Sequence, residues 1–467
     1  MRIALVEPSG EIRLAAYTTG AFTAEAFGLG YLASAARHAG HDTVVVQQGN
    51  RDRQALVDSI LECRPDVVGL SVLTYTSGYS LQLASDIKRR KPQACVVLGG
   101  YHPTSMPVMA EDDAVDFLVL GEGERTFVEL LDAIEAGRGF EGIHGIAYFD
   151  GRLRTNQPRP RIADLDGLPW PYRDGRQTFV SKGVHYPPPS VQKKYYVQYS
   201  RGCPYACAYC SSPSLWRGEV KWRSADDTVR EVKYLNDQLG ANLIFFADLT
   251  FNLSAERVHR LCAEIHRQGV DTHWFCECRP DNLDRELLEA MKTAGCTRIQ
   301  VGIESVHDSA LRMVKRGMTY ERVRSALELT ASVGLLIRGY VIIGFPWETR
   351  DSFQQTSIAL RELPIDDLRL GFLTPFPGTE LYGQYKEGGR LLTNDFRRYT
   401  GDEPVVRVDG MPAEELIVER ARIFREFYLS RAYERRMKAK VSAWPNLRRS
   451  YDEFFDYLGG SGVLRRE

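Results

Sequence analysis

From residue 1 to about residue 135, short apolar runs alternate with stretches of helical periodicity, which predicts strands and helices in turn. Strands are expected at 3–6, 43–46, 66–72, 95–98 and 115–120, with helices at 28–39, 80–90 and 126–136. That order implies right-handed crossovers and a doubly wound parallel sheet, in which ligands bind beyond the carboxyl ends of the strands. Those ends carry small, polar or turn-forming residues: Pro8-Ser9-Gly10, the stretch 71–75 that opens with Ser71, Gly99-Gly100-Tyr101-His102-Pro103 and Gly121-Glu122-Gly123-Glu124. A second alternating stretch runs from Tyr195 to about Tyr382, with strands expected at 195–199, 243–247, 272–277, 298–301, 338–343 and 367–373. Strand–helix units in this number predict an open barrel with its chemistry at the strand C-termini.

Between the two stretches, residues 137–192 change character. Gly137-Arg138-Gly139, Pro158, Pro160, Pro169, Pro171 and the run Pro187-Pro188-Pro189 read as a linker with one hairpin around Asp150-Gly151. Beyond 382 the pattern is that of charged helices, for example at 413–433. The expected fold class is therefore α/β, divided as a doubly wound sheet domain (1–136), a linker (137–192), a partial barrel (193–382) and a helical region (383–467).

Composition narrows the partners. A chain of 467 residues exceeds what one core organises, and 43% hydrophobic residues supply full cores for two or three domains. With 60 basic and 61 acidic residues the net charge is -1, which removes the footprint of a dedicated nucleic-acid binder and favours a small-molecule or peptide substrate. The apolar run at 3–6 is too short for a signal peptide, and no stretch of about 18 uncharged apolar residues occurs, so no membrane association and a cytoplasmic location are expected.

Nine cysteines are too sparse for a disulfide scaffold, yet three fall within Cys203-Pro204-Tyr205-Ala206-Cys207-Ala208-Tyr209-Cys210, in the loop after the first barrel strand. Three thiolates so close can hold three irons of a cubane [4Fe-4S] cluster and leave the fourth iron open to a ligand. A structural zinc site is the alternative, although it wants a fourth ligand and no second Cys-x-x-Cys pair lies at finger-like spacing. Cys276 and Cys278 alternate along the third barrel strand and read as wall residues, a reactive thiol or a second cluster. Arg279 beside them reads as a carboxylate or phosphate binder or as a structural residue. The basic run Arg435-Arg436-Met437-Lys438-Ala439-Lys440, near Tyr451, Phe454 and Phe455, reads as a solvated helix face or a contact for an acidic substrate.

Cys203, Cys207 and Cys210, with Tyr209 before the last, resemble the signature of the radical S-adenosylmethionine enzymes. Ile299-Gln300-Val301-Gly302-Ile303-Glu304-Ser305, Ile342-Ile343-Gly344-Phe345-Pro346-Trp347-Glu348 and Leu373-Thr374-Pro375-Phe376-Pro377-Gly378 resemble its fourth-, fifth- and sixth-strand segments. The resemblance implies that Cys203, Cys207 and Cys210 hold the cluster. It also implies that Tyr209, Glu304, Ser305 and Gly344 line S-adenosylmethionine, and that an electron donor such as flavodoxin or ferredoxin serves the enzyme. One departure is Leu249 in Ala247-Asp248-Leu249, where related enzymes commonly carry a second acidic residue. Asp248 reads either as a hydrogen-bonding group for substrate or S-adenosylmethionine or as a helix N-terminal residue.

Phe27-Gly28-Leu29-Gly30-Tyr31, Val68-Gly69-Leu70-Ser71, Val97-Leu98-Gly99-Gly100-Tyr101-His102-Pro103 and Val119-Leu120-Gly121-Glu122-Gly123-Glu124 resemble the cobalamin-binding domain that precedes the barrel in many such enzymes. This implies cobalamin held by Ser71, Gly99, Gly100, His102, Gly121 and Glu122. The Asp-x-His-x-x-Gly motif that gives cobalt a histidine in the mutases is absent. A sheet that merely covers the barrel is the competing reading. The leading expectation is a cobalamin-dependent methyltransferase acting on an unactivated carbon or phosphorus. An oxidative cyclase or ring-rearranging enzyme, a methylthiotransferase and a non-enzymatic iron-sulfur sensor remain as alternatives.

Overall fold

The computed structural model describes residues 1–10, 25–174 and 183–460. The first sheet contains β1 (Arg2–Glu7), β2 (Asp42–Gln47), β3 (Val67–Ser71), β4 (Cys95–Gly99), β5 (Phe117–Val119), β6 (Ile146–Phe149) and β7 (Leu153–Thr155), in the order β2-β1-β3-β4-β5-β6-β7. The strands β1 to β5 are parallel. Their continuous apolar runs are buried on both sides, as a sheet covered on two faces requires. On one face lie the helices Phe27–His38 and Gly123–Glu135, contributing Leu29, Ala33, Phe127 and Leu130. On the other lie Arg53–Glu62 and Ser77–Arg90, contributing Leu56, Ile60, Leu83 and Ile87.

The segment read as a linker does more than connect. Its hairpin, turning at Asp150-Gly151, adds β6 and β7 antiparallel to the edge of the first sheet, with Leu118 opposite Ala147. Ile146 and Ala147 are fully buried there, so the edge that β5 would leave open is covered by strands of its own domain.

The second sheet holds β8 (Lys194–Val197), β11 (Leu243–Phe246), β12 (His273–Cys278), β13 (Cys296–Glu304), β14 (Leu336–Ile343) and β15 (Asp367–Phe372), all parallel and adjacent in sequence order. A two-residue ribbon, β9 (Ser200–Arg201) with β10 (Lys221–Trp222), stands apart from it. The connecting helices begin on a hydroxyl or carboxylate cap: Ser224, Ser254, Asp284, Thr319 and Thr349 each accept a backbone N–H three residues on.

Residues 183–191 and the C-terminal helices close the amino end of this sheet. The imidazole of the fully buried His185 lies 2.6 Å from the Arg298 guanidinium, and its backbone N–H donates to Ser450 Oγ. The helix expected at 413–433 is two helices, Ala413–Tyr428 and Arg431–Ala443, the second capped by Ser430. The basic run on it is partly anchored rather than solvated: Lys440 Nζ donates to the Asp366 carboxylate, and Arg436 donates to the Arg361 carbonyl. Asp366 immediately precedes β15, so this basic surface lies at the end of the barrel away from the cysteine loop. Among the described residues no helix is long and apolar enough to cross a membrane.

Candidate active site between the two sheets

The three-cysteine loop leaves the barrel at β9 and returns at β10. Gly202 makes the departure possible: its φ is +108°, and a Cβ there would lie 1.9 Å from the Glu219 carbonyl oxygen. Asp248, just past β11, pins the lead-in by accepting from the Tyr199 N–H at 3.1 Å and Ser200 Oγ at 2.5 Å. Burial pushes its pKa up to about 6 despite these bonds. Asp248 thus serves neither the following helix, which Ser254 caps, nor the cavity wall. Further along, Ala208 donates to the Val314 carbonyl and accepts from Leu381 N–H, tying the loop to the far side of the barrel.

Cys203, Cys207, Cys210 and Tyr209 line a cavity of about 290 Å³ at the carboxyl ends of the barrel strands, together with Glu277, Cys278, Arg279, Glu304 and Arg316. Burial pushes the Cys210 thiol up to about 11. Arg316 Nη1 lies 3.9 Å from Cys207 Sγ, and its Nη2 lies 3.5 Å from Glu304. Glu304 ends β13 with φ +62°, a left-handed conformation that turns its carboxylate back toward Arg316 and Tyr209. The Tyr209 phenol is raised by burial and then by that carboxylate.

One feature of this cavity suits an anionic ligand: Arg279 Nη1 and Arg316 Nε are buried donors without a hydrogen-bond partner among the described residues, positions that a carboxylate would satisfy. Arg279 also lies 3.6 Å above the Tyr205 ring and pairs with Asp281.

Ser305 and Gly344 sit just beyond the strand ends but do not line this cavity. Ser305 Oγ accepts from the His307 N–H. Gly344, at φ +86°, donates its N–H to Glu348 Oε2, which also accepts from Phe345. Burial pushes the Glu348 carboxyl up to about 7. Cys278 lines the cavity, with its sulfur 3.6 Å from that of the fully buried Cys276. Glu277, like Arg316, is a cavity residue that sequence reasoning missed. It lines the cavity without a hydrogen bond or ion pair to any described residue, and burial pushes it up to about 7 although Arg338 opposes the shift.

A second cavity, about 260 Å³, lies at the carboxyl ends of the first sheet. Ser71, Gly99, Gly100, Gly121 and Glu122 line it beside Tyr31, and the barrel domain contributes Gln198, Arg201 and Trp216. Gly100 has φ +103°, and a Cβ there would stand 3.1 Å from the Val72 carbonyl. The Glu122 carboxylate is committed to a clasp: it pairs with Arg161 at 2.8 Å and Arg201 at 3.4 Å and accepts from Ile162 N–H. Arg201 also pairs with Glu124 at 2.7 Å and lies over the Tyr31 ring. His102 departs from the expectation placed on it. It falls in a short helix, Tyr101–Ser105, and its imidazole turns away from the cavity against Thr74 Oγ1 and the Phe396 ring. Burial holds its pKa down near 4.

A doubly wound sheet facing a six-stranded parallel half-barrel, with three thiols at the barrel mouth, defines a two-cavity enzyme architecture. Residues 197–357 match the model of the radical SAM superfamily, and residues 15–131 match that of the B12 binding domain. An uncharacterized methyltransferase of Pyrococcus horikoshii is 33% identical over 441 residues, covering 92% of each chain. The anaerobic magnesium-protoporphyrin IX monomethyl ester cyclase of Rubrivivax gelatinosus is 26% identical, covering 86% of this chain and 73% of its own. Among solved structures, the radical S-adenosylmethionine methyltransferase TsrM of Kitasatospora setae superposes with a TM-score of 0.65 at 21% identity, over 88% of this chain and 80% of that one. The chain belongs to the radical SAM enzymes that carry a B12-binding domain.

Proposed function

We propose that this protein is a cobalamin-dependent methyltransferase using radical S-adenosylmethionine chemistry on a small-molecule or peptide substrate. The observation that carries the reading is the facing pair of cavities: one lined by Cys203, Cys207 and Cys210, the other by the glycine-rich strand ends of the first sheet, with Arg201 and Trp216 of the barrel domain on the wall of the latter. When bound, the [4Fe-4S] cluster and S-adenosylmethionine supply radical chemistry, and cobalamin carries the methyl group. The chain's own contribution is placement. Cys203, Cys207 and Cys210 would ligate iron, and the free donors of Arg279 and Arg316 would receive the carboxylate of S-adenosylmethionine. Glu304, held by Arg316, and Tyr209 stand on the wall beside that position. Gly99, Gly100 and Gly121 let backbone approach a broad flat ligand, while the Glu122–Arg201 clasp fixes the roof.

The working units on this reading are the first sheet with its hairpin, the barrel, and the helices that close the barrel's amino end. All nine cysteines are unpaired, which suits a reducing cytoplasmic setting and an electron donor of the flavodoxin or ferredoxin kind. Anaerobic loading with iron, sulfide and hydroxocobalamin, followed by desalting, is expected to leave about four irons and about one cobalt per chain. Replacing Cys203, Cys207 or Cys210 by Ala is expected to remove the iron. Absence of retained iron in the parent protein refutes the proposal. The similarity to a cyclase gives the second reading. Methyl transfer consumes S-adenosylmethionine to S-adenosylhomocysteine as well as 5'-deoxyadenosine, whereas a cyclase yields only the latter, so the two products decide between them.

A further inference from the structure

A third cavity, about 420 Å³, opens between the two domains and joins the other two. Leu73, Tyr75 and Tyr101 reach it from the strand ends of the first sheet, Trp216 from the short helix after the cysteine loop, Leu249 from the turn after β11, and Phe376 from beyond β15. Cys210, Ser212 and Leu249 belong to its wall and to that of the thiol cavity, while Trp216 also lines the glycine-rich cavity. A molecule seated here touches the walls of both.

The lining has a definite chemistry. No Asp, Glu, Lys or Arg stands among the described residues around it, so a charged group entering would lose its hydration without compensation. Four aromatic rings surround the space, and such rings attract other π-systems edge-on or offset. Leu73 and Leu249 are 44% and 43% exposed, large aliphatic side chains left open instead of packed. The hydroxyls of Thr74 and Tyr101 are engaged, the first with His102 and the second with the Pro377 carbonyl. Ser212 Oγ, by contrast, is buried without a hydrogen-bond partner among the described residues, and its residue lies on the cavity wall. A buried hydroxyl left unpaired calls for a ligand atom.

We infer that this cavity is the substrate subsite, and that it receives a flat, apolar ring bearing one hydrogen-bonding heteroatom, met by Ser212 Oγ. Naming the occupant a substrate rests on the function proposed above; the cavity's preference for such a ring does not. Its size lies within the range of small-molecule sites, which are lined mainly by apolar and aromatic groups with few placed polar atoms. Leu249, which stands where related enzymes commonly carry an acid, keeps this wall apolar.

Equilibrium dialysis of the iron- and cobalamin-loaded protein against 2-naphthol and against naphthalene tests the inference. Each probe is expected to occupy one saturable site. Leu249→Asp is expected to weaken both at least tenfold. Leu73→Asp, on the first domain, is expected to do the same and replaces it should Leu249→Asp lose iron. Ser212→Ala is expected to weaken 2-naphthol several-fold and leave naphthalene unchanged. Val418→Asp, at an exposed position on the helix Ala413–Tyr428, is expected to change neither. Unsaturable binding, or saturable binding that neither Asp substitution affects, overturns the inference. Iron and cobalt content, measured on the same samples, reads the function proposal separately: a parent protein without metals that still binds 2-naphthol in a Leu73-dependent way refutes that proposal and leaves the cavity assignment standing.

Discussion

At the residue scale, Glu277 stands out as a half-buried carboxyl without a hydrogen-bond or ion-pair partner among the described residues. Such a group resists ionisation, and here the pKa rises from an ordinary 4.5 to about 7. Because the folded value lies above the unfolded one, the stability penalty is absent below about pH 4.5, grows as pH rises through 7, and is constant beyond. Glu277→Gln removes the titration. The variant is therefore expected to be more stable than the parent at pH 8, by an order of 2–3 kcal/mol, and to lose this advantage at pH 5. Thermal unfolding of the metal-free proteins at the two pH values measures it, and a difference independent of pH refutes it.

Elements decide whether such residues meet. The ribbon β9–β10 closes the cysteine loop only because Gly202 passes within contact of the Glu219 carbonyl. Gly202→Ala is expected to prevent that closure, with loss of most bound iron while the first domain stays folded; far-UV circular dichroism beside an iron assay checks this. The strands were legible because buried parallel strands are continuous apolar runs, and β1, β4 and β15 fall within one residue of their expected bounds. The helix Arg53–Glu62 was passed over, although Leu56, Val57 and Ile60 stand at helical spacing and form its buried face. The hairpin β6–β7 was visible as a turn, but its place on the first sheet depends on pairing with β5, which no local pattern encodes. Cys203, Cys207, Cys210, Gly99 and Gly100, which line the two cavities, were singled out from sequence-contiguous motifs. Arg316 and Glu277 were not, because each is isolated in sequence and acquires meaning only from the cavity it faces. His102 stands in the same glycine-rich motif, but the short helix at Tyr101–Ser105 turns its ring against Phe396.

For the molecule as a whole, a chain of charges holds the two sheets face to face. Arg173 donates to Glu25 just before the first helix, to Glu231 on a barrel helix and to the Tyr196 carbonyl on β8, and all three charged side chains are buried. Removing Arg173 leaves the buried Glu25 carboxylate without its cation, while Glu231 keeps Arg223. Arg173→Ala is expected to cost about 3–5 kcal/mol and to split one unfolding transition into two as the domains separate. Differential scanning calorimetry distinguishes that outcome from a single shifted transition.

Arg201 spans the same divide at a more consequential place. It forms part of one cavity's wall through Glu122 and Glu124, and it stands two residues before Cys203 at the other. Held on the wall of one cavity and leading the chain into the cysteine loop of the other, Arg201 is expected to link the two loadings thermodynamically. Linkage is reciprocal. Cobalamin should tighten iron retention by the same factor by which iron tightens cobalamin, and Arg201→Ala should make each loading indifferent to the other, a cooperativity measurable by titrating either one in the presence and absence of its partner.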